Sequence, residues 1–144
     1  MIAICSDHAG FPLKMIIEGY LDAMEIKYKD YGCYTADSCD YPDFAHPAAE
    51  GVLDHEAELG IAICGSGNGI AMTLNKHNGI RAAICWLPEL AALARQHNDA
   101  NFLVLPGRFI DEATAIKTLD TFLESKFEGE RHQRRVEKID LNSK

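Results

Sequence analysis

The 144 residues contain no apolar stretch approaching the ~18 needed to cross a bilayer, so no membrane span is expected. The opening "MIAIC" is too short for a signal peptide and runs into Ser6-Asp7-His8 where a cleavage site should stand. There is no C-x-x-C pair and no H-x-x-x-H pair, so spacing alone offers no metal centre. The five cysteines, Cys5, Cys33, Cys39, Cys64 and Cys85, are odd in number and cannot all pair. Three of them close apolar runs, and a reducing, cytoplasmic setting is expected. Positive charge is also scarce: 14 Lys and Arg face 22 Asp and Glu, for a net charge of −8. That balance excludes a nucleic-acid binder, which needs a basic stripe to neutralise phosphates.

What remains is an ordinary globular composition, 47% hydrophobic and 25% charged. The length fits one domain over residues 1–144, large enough to bury a core without staples. Four short runs, "IAIC", "GIAIC", "RAAIC" and "FLVL", are continuous rather than alternating, as in strands of a parallel sheet covered on both faces. The weaker "IKYKDYG" supplies a fifth strand. Helical patterns lie between them, and Pro12, Pro42 and Pro88 each stand near a helix start, where a missing N–H costs little. The reading is an α/β fold: a Rossmann-like three-layer α/β/α sandwich with a five-stranded parallel sheet and an extra C-terminal helix over about 130–141. That last helix carries Arg131 and Arg135 four apart on one face, has little apolar content, and is expected to reach a partner subunit.

Parallel sheets bind ligands at the carboxyl ends of their strands. Ser6-Asp7-His8 follows the first strand, "CGSGNG" at 64–69 follows the third, and Pro106-Gly107-Arg108 follows the last. These segments are expected on one rim. His97 and Asn98 end a helix instead, and periodicity does not say whether they reach that rim.

The glycine loop is not a dinucleotide turn, because Ile70 stands where Gly or Ala is needed. It lacks the Gly-Lys-Ser/Thr of a Walker loop, and Ile70 also fills the place of a cysteine phosphatase's arginine. What is left is a cysteine at a strand end, then N–H groups freed by glycine at a helix start, the outline of an oxyanion pocket. A thiol is a few per cent ionised at neutral pH, and a helix N-terminus favours its anion. Cys64 can therefore be a base. The bland alternative keeps Cys64 as buried filler, Ser66 as loop chemistry, His97 as a helix cap and His8 as a structural hydrogen-bonder. Their convergence favours a site.

Several segments in order, "SDHAGFPLK", "DYPDFA", "ICGSGNGI", "NKHNGIRAA", "ARQHNDAN", "PGR" and "GERHQRRVE", resemble the type B ribose-5-phosphate isomerases, grouped with the galactose-6-phosphate isomerase subunits. The resemblance implies a cofactor-free homodimer with shared active sites, assembly up to a tetramer being left open, acting on a phosphorylated sugar. It implies Cys64 as the base between C1 and C2, and His97 as the ring-opening acid helped by Asp7. Ser66 and the N–H groups of Gly65, Gly67, Asn68 and Gly69 would hold the enediolate. Asp7, His8, Tyr41 and Asn98 would contact the sugar, and Arg108, Arg131 and Arg135 the phosphate, some of these from the second subunit. Members without the cysteine place a glutamate where this chain has Ile70, so the cysteine variant is implied.

Overall fold

The computed structural model describes residues 1–141. Five parallel strands, β1 (Ile2–Ser6), β2 (Tyr28–Asp30), β3 (Leu59–Cys64), β4 (Ala82–Ile84) and β5 (Phe102–Pro106), lie in the order β2-β1-β3-β5-β4. Between and after them come α1 (Phe11–Ala23), α2 (Pro42–Leu53), α3 (Asn68–Leu74), α4 (Pro88–Asn98), α5 (Glu112–Glu124) and α6 (Arg131–Glu137). The prolines expected at helix starts do begin α1, α2 and α4.

Strand side chains alternate between two cores of different grain. Ile2, Ile4, Ile61, Ile63, Leu103 and Leu105 face α1, α4 and α5, where Leu13, Ile17, Leu119 and Phe122 meet them. On the other side Ala3, Cys5, Ala62 and Cys64 face Ala45, Ala48, Ala49 and Ala71 of α2 and α3. Small residues on both sides let α2 lie close against β1 and β3, so its first turn and the loop before it overhang the strand ends.

Two expectations need correction. The "RAAIC" strand is not covered on both faces: β4 pairs only with β5, and Ala82, Ala83 and Ile84 are half-buried at the sheet edge. A run of four apolar residues signals burial but not which strand stands last. The C-terminal helix spans only Arg131–Glu137, shorter than about 130–141, because Glu130 has a φ of 54° and the chain turns after Lys138.

Lys14 is a charged residue wholly inside the fold. Its Nζ donates to both carboxylate oxygens of Asp30, at 2.6 and 2.7 Å, and to the Cys33 carbonyl at 2.6 Å. The ammonium thus has three partners in place of water, as a buried charge requires. It pins the segment that leads from β2 toward α2.

Candidate active site

The chain passes from β1 to β2 on one side and to β3 on the other, so the carboxyl ends of β1 and β3 form the crevice where such sheets bind ligands. Asp7, at the end of β1, is 6% exposed. Its N–H donates to the Ile63 carbonyl, and its Oδ1 accepts from Gly10 N–H at 2.9 Å. This fixes the carboxylate at the mouth of the crevice. His8 accepts at Nδ1 from Cys39 N–H, 3.2 Å away, so a neutral His8 carries its proton on Nε2 and can donate from there. Asp7, His8, Cys39, Asp40, Tyr41, Pro42 and Asp43 line a cleft of about 450 Å³. That is within the usual small-molecule range of about 300–1,000 Å³.

Cys64 closes β3 beside this cleft. Its carbonyl accepts from Gly107 N–H at 2.8 Å, and the Gly65 carbonyl accepts from Arg108 N–H at 3.0 Å, which ties the glycine loop to the end of β5. Gly67 takes a φ of 84°, open to glycine, and this turns the chain into α3. Ser66 Oγ accepts from Asn68 N–H at 3.2 Å, and both residues are exposed. The Arg108 side chain runs along Gly65: a Cβ there would stand 3.5 Å from its Nη1. Burial pushes the Cys5 thiol far up, with Lys14 opposing, and the Cys85 thiol up to about 12. Those two sulfurs are held as thiols and are no candidates for a base.

The remaining expected residues lie elsewhere. α4 runs back across the sheet, so His97 and Asn98 end at the edge where the strands begin. There the Asp99 carbonyl accepts from Arg81 Nε at 2.9 Å and the Arg81 carbonyl accepts from Asn101 N–H. The strand length, about 16 Å for five residues, separates them from Cys64. Asn98 borders a hollow of about 280 Å³ with Asn75, Arg81, Ala82, Ala83, Ala100 and Ile139. Arg131 and Arg135 are exposed on α6, which packs on α4. Within one chain the expected site is therefore in two parts: Asp7, His8, Tyr41, Cys64, the loop and Arg108 on one rim, His97, Asn98, Arg131 and Arg135 at the opposite edge.

The second part also contains residues the sequence did not single out. His97 and His132 stack with centroids 4.2 Å apart and planes 12° from parallel. Their Nε2 atoms lie 3.8 and 3.9 Å from Glu128 Oε1. Burial, then His97 and Arg131, hold His132 below the usual histidine range, with Glu128 opposing. The donor atoms of all three lie within 4.8 Å of one another. Nearly parallel rings cannot aim both in-plane lone pairs at one ion, so this is a poor metal cage. The only signal in the sequence was the i, i+4 spacing of Glu128 and His132.

A family model described as ribose/galactose isomerase matches residues 2–139. The chain belongs to the ribose/galactose isomerase family. Among solved members of this family, a ribose 5-phosphate isomerase of Thermotoga maritima is 49% identical, with a TM-score of 0.95 and 96% of each chain covered. A ribose-5-phosphate isomerase B of Mycoplasma genitalium with bound ribulose-5-phosphate is 46% identical, with a TM-score of 0.91, covering 96% of this chain and 92% of that one. The Escherichia coli protein called ribose-5-phosphate isomerase B is 41% identical over 96% of this chain and 93% of its own. The two solved relatives thus share the fold, and all three share nearly the full length.

Proposed function

We propose that this protein is an aldose–ketose isomerase interconverting ribose 5-phosphate and ribulose 5-phosphate, as its 41–49% identical relatives are named. One observation carries the reading: a cysteine and a glycine loop share a rim with Asp7, His8 and Tyr41, while the complementary acid and arginines wait at the opposite edge of the same chain. Two copies related by a two-fold axis bring one part of each against the other, so each site takes both subunits. The half-buried edge strand β4 and the exposed Met72, Trp86, Leu87 and Phe109 around its carboxyl end support such a contact.

In this mechanism the furanose form of ribose 5-phosphate enters the cleft, where His8 and Tyr41 take its hydroxyls. His97 from the second subunit, with Asn98 beside it, protonates the ring oxygen, and Asp7 takes the proton from the C1 hydroxyl, which yields the open aldehyde. The Cys64 thiolate removes the proton from C2. The charge that develops on the oxygens is received by Ser66 and by the N–H groups of Gly65, Gly67, Asn68 and Gly69. The same sulfur returns the proton to C1, and the hydroxyl proton passes from O2 to O1, so that C2 becomes the ketone and C1 a hydroxymethyl group. No cofactor is required by this sequence of steps.

The phosphate goes to Arg108 of one chain and Arg131 and Arg135 of the other, whose guanidinium forks match it. A dianion on the glycine loop would oppose ionisation of the neighbouring thiol. Residues 1–144 act as one domain, with α6 reaching across the dimer. Free thiols throughout the described residues support a cytoplasmic enzyme, with ribose 5-phosphate placing it in pentose phosphate metabolism.

A coupled assay of the purified protein on ribose 5-phosphate, allose 6-phosphate and galactose 6-phosphate, with and without thiol alkylation, tests this. Turnover of ribose 5-phosphate that disappears on alkylation of Cys64, with the substrate protecting the thiol, is the expected result. Turnover untouched by alkylation of Cys64 would refute the mechanism, and a preference for a six-carbon phosphate would reassign the substrate.

A further inference from the structure

The His97 imidazole is placed by two neighbours that no chemistry described so far requires. His132 lies under it, 6% exposed, with Nε2 buried and without a hydrogen-bond partner. Glu128 stands at the edge of both rings, 3.8 Å from His97 Nε2 and 3.9 Å from His132 Nε2. Glu128 is itself anchored, since its N–H donates to the Gln96 carbonyl at 3.0 Å in the last turn of α4. The charged groups around His97 are Arg95 on α4, Asp99 just after it, Glu128 before α6, and Arg131, His132 and Arg135 on α6. Arg95 and Asp99 are engaged with each other at 3.2 Å. Glu128 is therefore the carboxylate aimed at the imidazole.

Resting on the shared-site reading above, we propose that Glu128 is a positioning residue: it accepts from His97 Nε2–H, directly after a small approach or through one water, so that the imidazolium form presents Nδ1–H to the sugar's ring oxygen and, having given that proton, is left as the neutral Nε2–H tautomer. The logic is that of a carboxylate fixing an imidazole's tautomer and orientation through the nitrogen that does no chemistry. His132 sets the plane of the ring by stacking, and Glu128 sets its rotation within that plane. Nδ1 of His97 has no hydrogen bond among the described residues, which leaves it free for substrate.

The test compares Glu128→Gln and Glu128→Asp with the parent on two readouts. The first is turnover of ribose 5-phosphate, whose ring must open. The second is inhibition by an open-chain phosphorylated hydroxamate, which copies the enediolate and has no ring. Glu128→Gln is expected to lose roughly tenfold in kcat, a part of the ~10²–10⁴ of acid catalysis, while hydroxamate inhibition stays within about twofold and Glu128→Asp recovers part of the turnover. Loss of both readouts in parallel would make Glu128 merely structural, and loss of neither would remove its role; either result overturns the proposal. Failure of the isomerase reading looks different, because the parent itself would then turn over no ribose 5-phosphate.

Discussion

The phenol of Tyr41 lies against Gly69: a Cβ added at Gly69 would stand 2.4 Å from Tyr41 Cζ and 2.6 Å from its hydroxyl. One residue of the cleft wall thus rests on the backbone of the glycine loop. Gly69→Ala would suit α3 by propensity, yet it must push the ring away. The expected result is a KM for ribose 5-phosphate raised about fivefold, the equivalent of one lost contact of ~1 kcal/mol, with thermal stability kept. An unchanged KM would detach Tyr41 from the sugar.

Placing Cys64 and His97 at opposite edges makes a complementation experiment possible. Cys64→Ala and His97→Ala homodimers should each lose turnover by about 10² or more. A mixture allowed to exchange subunits should recover about a quarter of parent activity, because half the dimers are mixed and one of their two sites is intact. No recovery would mean that each site is built within one chain.

Phosphate recognition separates by residue as well. Arg135→Ala should raise the KM for ribose 5-phosphate by about tenfold or more, the size of a lost charge-assisted pair, and barely affect slow turnover of free ribose. Arg134→Ala serves as control. Equal effects of Arg135→Ala on both sugars would exclude it from the phosphate site.

How much of this was legible beforehand depended on what kind of signal each part sends. β1, β3 and β5 announced themselves because central strands are apolar on both faces, and the prolines marked helix starts. The position of β4 at the edge was not legible, since a short apolar run carries no information about its neighbours. The separation of His97 from Cys64 was legible in principle: a helix that follows a parallel strand must run back, so its end lies where the next strand begins. Glu128 and His132 sent almost no signal, because their importance comes from lying against His97, which stands 31 and 35 residues earlier in sequence. Lys14 was equally silent; only the fold reveals that Asp30 and the Cys33 carbonyl enclose it.

Stability should carry a pH signature from the same buried network. Burial foremost, then the hydrogen bond and charge of Asp30, push the Glu18 carboxyl from 4.5 up to about 7, with Lys14 opposing. A raised acid favours its protonated form in the folded state, so its contribution is complete below pH 4.5 and is lost as pH rises through about 7. Glu18→Gln, which cannot ionise, should melt higher than the parent at pH ~8 and the difference should shrink at pH ~5. Thermal melts across that range check it, and a gap independent of pH would dismiss the linkage.

Asn75 does for β4 what a sixth strand would do. Its side-chain amide donates to the Ala82 carbonyl at 2.9 Å and accepts from Ala82 N–H at 2.8 Å, imitating one rung of a ladder. Edge strands left bare invite another chain to zip on. With the Ala82 rung already occupied, a chain arriving at this flank finds one rung fewer to extend on a strand of three residues, which weakens any fusion of two sheets along β4.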